Sequence, residues 1–172
     1  ALITVLPLLV LYTPLFKSLP FIGNIVVGCI LGLVFVFTEG AIHGNVDKMW
    51  IPFFLATALS SIRELCKDGA DMAGDSTANL KTFPRKFGLI STLWLLRILA
   101  VALCFFAITP YTSGYYGIVY FIPLILGIEI PLLYSMFIIL SEKSDSAEYI
   151  KVAKILKGVT MVGMLVILSS GY

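Results

Sequence analysis

The chain has 172 residues, 59% of them hydrophobic and only 13% charged, and a formal net charge of +2; its mean hydropathy is +1.02. Soluble domains carry roughly 25% charged residues, so the composition excludes a soluble globular protein and predicts an integral membrane protein, and the small net charge gives no reason to expect a nucleic-acid partner. The three cysteines, Cys29, Cys66 and Cys104, share no close spacing with one another or with the single His43, which argues against a disulfide framework or a zinc site.

A hydrocarbon core of about 30 Å takes about 20 apolar residues per helix. The first apolar run, residues 2–12, is too short to span, and it lacks the charged start and small-residue cleavage site of a signal peptide. It reads as the tail of a helix that begins upstream, so the chain is expected to be the later part of a longer protein, a single transmembrane domain over 1–172 whose N-terminal half is missing. Full runs follow at 21–39, 49–66, 87–108, 116–140 and 155–171. The fold class predicted is an all-α polytopic bundle of about five full transmembrane helices plus a partial one.

In the second run the unbroken apolar part ends at Ile62, after about 20 Å of rise. Continuing the helix across the bilayer brings Arg63, Glu64 and Lys67 below the boundary of the hydrocarbon. Each would cost roughly 2.5 to 3.5 kcal/mol against lipid, so a polar, water-accessible chamber is expected there. Between Arg63 and Asp75 the chain carries Arg63, Glu64, Lys67, Asp68, Asp71 and Asp75. On one helix, steps of four, three and four place Glu64, Asp68, Asp71 and Asp75 on one stripe. Aligned acids repel one another and suit a hard, oxygen-preferring ion such as Mg²⁺ held together with phosphate. The plainer reading is a solvated turn at the membrane surface, but such a face more often mixes signs into i,i+4 pairs.

Further along, Arg97 and Glu129 lie deep in their runs, each about 15 to 18 Å from one end by helical rise, and are expected to form a structural ion pair. Pro123 and Pro131 are expected to kink the helix that holds Glu129. The cysteines read as apolar fillers. Alternating the loops assigns ten of the twelve basic residues to one side, including Lys17, Arg63, Lys67, Lys81, Arg85, Lys86, Lys143, Lys151, Lys154 and Lys157. Lys48 alone falls on the other, and Arg97 lies within a helix. That bias marks the first side, with the acidic stripe, as cytoplasmic. Its connections are long and charged, whereas the loops at 40–48 and 109–115 read as simple turns.

Lys67-Asp68-x-x-Asp71-x-x-Gly74-Asp75, followed by Lys81-Thr82-Phe83-Pro84 and Gly88, resembles the second aspartate-rich motif of the UbiA superfamily of intramembrane prenyltransferases. Upstream, Tyr12-Thr13-Pro14-Leu15-Phe16-Lys17 and Gly23-Asn24 are similar to the family's Tyr-to-Lys segment and the Gly-Asn opening its fifth helix. On that alignment the chain covers nearly all of the second half of a nine-helix fold, without the first aspartate-rich motif. The motif wording is most similar to the branch that prenylates geranylgeranylglyceryl phosphate, although homogentisate prenyltransferases and chlorophyll synthases carry comparable segments.

The resemblance implies Mg²⁺-dependent transfer of a polyprenyl group, such as geranylgeranyl, from its diphosphate to a lipophilic acceptor within the membrane. It implies Asp68, Asp71 and Asp75 as metal ligands and catalytic residues, with Lys67 and Tyr12 beside them, and Lys17 and Arg63 as diphosphate contacts. It also implies that this chain alone is inactive. Partners are then an isoprenyl diphosphate, the acceptor and membrane lipids. The alternative is a non-catalytic UbiA-like scaffold among other membrane subunits, which the absent first motif would suit; the mass of the native protein separates the two. A transporter fits less well, because charge clusters at one mouth instead of at a midplane site.

Overall fold

The structure, a computed structural model, describes residues 19–77 and 80–169, with the isolated positions 6, 7, 10 and 16. Tyr12, Lys17 and most of the 2–12 run lie outside the described residues. Among the described residues the secondary structure is helical: α1 (Ile22–His43), α2 (Trp50–Ala70), α3 (Met72–Thr77), α4 (Phe83–Thr112), α5 (Ile118–Ile139) and α6 (Ser146–Ser169).

Four of these, α1, α4, α5 and α6, are long and apolar enough to cross a membrane. Five full spans were expected; α2 is less apolar than the other four because Arg63, Glu64, Lys67 and Asp68 occupy its last turns. Its position in the bundle explains how the charge is tolerated. α2 packs against α1, α4 and α6, and Leu59, Ile62, Leu65 and Cys66 are buried in one core with Leu93, Leu96, Leu132, Tyr149, Val152 and Leu156. A helix shielded by its neighbours need not be apolar on every face.

The α1–α2 contact is a backbone approach. Gly28 and Gly32 lie four apart on α1, and a Cβ at Gly28 would stand 2.5 Å from the Thr57 carbonyl oxygen and 2.6 Å from Ser61 Oγ. One at Gly32 would stand 2.5 Å from Thr57 Oγ1. Only hydrogen fits, as at small-residue crossings in membranes. At the far end of this pair, Glu39 of α1 accepts backbone N–H groups from Asp47, Lys48 and Met49, each at 3.0 Å. It thereby satisfies, from a different helix, the backbone donors of the turn leading into α2 and that of the N-cap residue Met49. The loop at 40–48 was expected to be a simple turn; a buried carboxylate organises it.

α5 contains two π turns, Ile125–Glu129 and Ser135–Ile139. Pro131 has no N–H to return to Gly127, so the α ladder is interrupted where the first turn widens. Around the second turn the expected Arg97–Glu129 pair is replaced by another arrangement. Arg97 Nε donates to the Met136 carbonyl at 3.1 Å and Nη2 to the Leu140 carbonyl at 3.2 Å. The guanidinium also lies over the rings of Trp94 and Phe137, at 5.3 and 5.2 Å. Arg97 thus caps the C-terminus of α5, where the last carbonyls lack intrahelical partners. Glu129 is buried, and its Oε1 has no hydrogen-bond partner among the described residues. The ion pair fails because side chains lean toward the N-terminus of their own helix. α4 and α5 run antiparallel, so Arg97 leans toward the acid-bearing end and Glu129 away from it.

Candidate active site

The acidic segment begins at Glu64, which is shared by two cations, Arg63 Nη1 at 3.1 Å and Lys67 Nζ at 2.8 Å. The signs are therefore partly mixed at the top of the stripe, and Lys67 is engaged with Glu64. Arg63 Nε is buried and has no acceptor among the described residues. One turn on, Asp68 Oδ2 accepts from Asn24 Nδ2 at 2.7 Å. Asn24, Gly28 and Gly32 form one stripe on α1, so the glycine contact that brings the two backbones together also delivers the amide to Asp68. Burial pushes the Asp68 carboxyl up to about 6; the nearby charges of Asp75 and Glu64 act in the same direction, against the Asn24 hydrogen bond and Lys67.

The single helix expected through the stripe is interrupted at Asp71, whose φ of −106° and ψ of 27° close α2. The hydrogen-bond ladder nevertheless runs across the break, from the Asp71 N–H to the Lys67 carbonyl and from the Asp75 N–H to the Asp71 carbonyl, both at 2.9 Å. Asp71 is exposed. Its carboxylate lies where a side chain at position 74 would go, since a Cβ on Gly74 would stand 2.3 Å from Asp71 Oδ1. Asp75 is buried and accepts from Thr82 Oγ1 at 2.9 Å.

Thr82 is the residue before α4, so its hydroxyl ties the start of α4 to Asp75. Arg85 Nη1 donates to the carbonyls of Asp75 and Leu80, which folds the 75–80 turn against the same helix end. Gly88, at φ 84°, bends α4 immediately afterwards, a conformation that disfavours any residue with a Cβ. Gly69 leaves room for the Tyr149 ring of α6, 2.6 Å from where its Cβ would be.

The structure therefore gathers Arg63, Glu64, Lys67, Asp68, Asp71 and Asp75 at one end of the bundle, but it does not converge the three aspartates. Among the described residues, no group of three His, Cys, Asp or Glu side chains could hold a metal ion. A cavity of about 1110 Å³ opens at the opposite end, lined by Leu31, Glu39, Leu59, Ala107, Tyr120 and Ile167 among others. At the acid-bearing end Lys67 and Asp71 are exposed, Asp75 is buried, and Arg63, Glu64 and Asp68 lie between. Sequence reasoning gave no role to Asn24 or Thr82. Both nevertheless stand in the motifs that carry the resemblance, Asn24 in Gly23-Asn24 and Thr82 in Lys81-Thr82-Phe83-Pro84, which was the signal available.

Fold and site together define a helical membrane bundle with a carboxylate-rich, partly buried end. Residues 1–157 match the UbiA prenyltransferase family, and the chain belongs to that family. It is 32% identical over 117 residues to the digeranylgeranylglyceryl phosphate synthase of Natronomonas pharaonis, covering 68% of this chain and 42% of that protein. It is 29% identical over 163 residues to the Methanopyrus kandleri synthase, covering 95% and 58%, and 32% identical over 161 residues to that of Methanocaldococcus jannaschii, covering 92% and 56%. A solved structure from work on digeranylgeranylglyceryl phosphate synthase in membranes superposes with a TM-score of 0.85 at 29% identity, over 98% of this chain and 59% of the other. The chain thus spans about half the length of the relatives it matches.

Proposed function

We propose that this chain supplies the diphosphate-binding half of an intramembrane prenyltransferase that moves a polyprenyl group, geranylgeranyl in the closest reading, from its diphosphate to a lipophilic acceptor. The observation that carries the proposal is Asp68: a half-buried carboxylate beside the charges of Asp75 and Glu64, with a neutral amide as its hydrogen-bond partner. The Lys67 ammonium that offsets this charge is itself paired with Glu64, so the acids of the segment leave room for a further cation.

The donor set fits Mg²⁺, because all the candidate ligands are carboxylate oxygens and the ion typically takes one or two of these together with phosphate oxygens and water. Asp68, Asp71 and Asp75 are the candidate carboxylates, one or two of which would ligate it directly, with phosphate oxygens and water completing the shell. When bound, the ion supplies charge compensation for the leaving diphosphate. Asn24 and Thr82 fix the carboxylates of Asp68 and Asp75 by hydrogen bonds. Arg63 offers a buried, unpartnered N–H suited to an anionic oxygen, and Lys67, Lys17 and Tyr12 are proposed to join it. These cations and donors stabilise negative charge as the allylic C–O bond breaks and its electron pair leaves with the diphosphate. The acceptor nucleophile then bonds to the allylic carbon and loses its proton. The basic residues clustered at the acid-bearing end favour a cytoplasmic site.

The test is prenyl transfer by the full-length protein across a Mg²⁺ titration. Asp68→Ala and Asp71→Ala should abolish Mg²⁺-dependent transfer, and retention of most activity by both would overturn the proposal.

A further inference from the structure

α6 presents two faces. Tyr149, Val152, Leu156 and Val159 are buried and pack in the same core as Leu65 and Leu93. On the opposite side Lys151, Lys154 and Lys157 are exposed. Lys154, Lys157, Met161 and Leu165 follow at steps of three, four and four and so share one stripe; Met161 is 64% and Leu165 65% exposed. The outward face therefore changes from cationic to apolar within one turn, between positions 157 and 161.

Among the described residues, none of the three lysines is in an ion pair. The nearest acid in sequence, Glu148, is engaged with the Asp145 N–H at 2.8 Å. α6 begins at the acid-bearing end, where Tyr149 rests on Gly69. Its lysine side chains lean toward that end along their helix and can carry their ammonium groups to headgroup level while their stems stay on apolar surface. The three span about 9 Å of rise.

We propose that this stripe is a docking site for an anionic glycerophospholipid, whose phosphate is held by Lys151, Lys154 and Lys157 and whose chains lie along Met161 and Leu165. Charge complementarity selects the headgroup, and the apolar continuation on the same face selects a lipid over a soluble anion. The site lies apart from the acidic segment and does not depend on the proposed reaction.

Native mass spectrometry of the full-length protein in detergent, titrated with phosphatidylglycerol or phosphatidylcholine, tests the idea. The expected result is a preference for phosphatidylglycerol of about fivefold or more, lost in the K151Q/K154Q/K157Q variant and kept in K151R/K154R/K157R. Unchanged preference in the glutamine variant would overturn the site. Displacement of phosphatidylglycerol by an equal concentration of inorganic phosphate would reassign it to a free anion. A photo-crosslinker at position 154 in native membranes should capture lipid; capture of protein alone would also overturn the proposal.

Discussion

Asn24 and Asp68 stand 44 residues apart in sequence and meet at 2.7 Å, at the end of a helix pair held together by two glycines. The amide depends on the glycines for its position, and among the described residues the carboxylate depends on the amide for its one hydrogen bond. Asn24→Leu should leave Asp68 half-buried without a donor, a cost of about 1 to 3 kcal/mol. In the full-length protein the expected outcome is a higher Mg²⁺ requirement and at least about tenfold slower prenyl transfer, read as initial rate against Mg²⁺ concentration.

Gly28→Ala tests the same contact from the backbone. Its Cβ would meet the Thr57 carbonyl oxygen at 2.5 Å, a backbone atom that cannot swing aside as a side chain would. Loss of about 1 to 3 kcal/mol is expected, seen as a lower Tm in a detergent melt. Ala at position 40 should be close to neutral by the same measurement, because the nearest atom to a Cβ there is the end of Val46 at 3.4 Å.

The Arg97 cap and the orphaned Glu129 make a sharp pair of expectations. Arg97→Leu should destabilise the protein by about 1 to 3 kcal/mol through the lost carbonyl contacts. Glu129→Gln should be neutral or stabilising, since it removes a buried charge whose Oε1 has no hydrogen-bond partner among the described residues. The double variant should be additive within about 0.5 kcal/mol, as measured by denaturation. A coupling above about 1 kcal/mol would restore the ion pair.

Thr82→Val keeps the shape of the side chain and removes the hydroxyl that Asp75 accepts from. The buried carboxylate would lose its donor, at a cost of about 1 to 3 kcal/mol. Thr82→Ser should retain both stability and transfer, which separates the hydrogen bond from packing.

Four spanning helices were legible because each is a run of about 20 apolar residues, and the carboxylate-rich segment was legible because charge is rare in such a chain. What escaped were relations that cross helices. Nothing in the sequence around Asn24 says that it faces Asp68, since that depends on how closely Gly28 lets α1 approach α2. Depth counting alone placed Arg97 beside Glu129, and the direction in which side chains lean on antiparallel helices separates them. The break at Asp71 was invisible to periodicity, because the ladder resumes in register on its far side. Glu39 read as the last residue of the 21–39 run, yet its three backbone contacts lie within ten residues and a capping role was open to inspection.

Those three contacts have a bearing on how the chain enters its membrane. α2 carries too much charge to partition into lipid by itself, while α1 is strongly apolar and is fastened to the beginning of α2 by the Glu39 carboxylate. The two are therefore suited to insertion as a single latched hairpin, with the greasy arm carrying the polar one across. Cutting the latch with Glu39→Ala should show up during biogenesis, as an α2 stranded on the wrong side, before any defect is seen in the assembled protein.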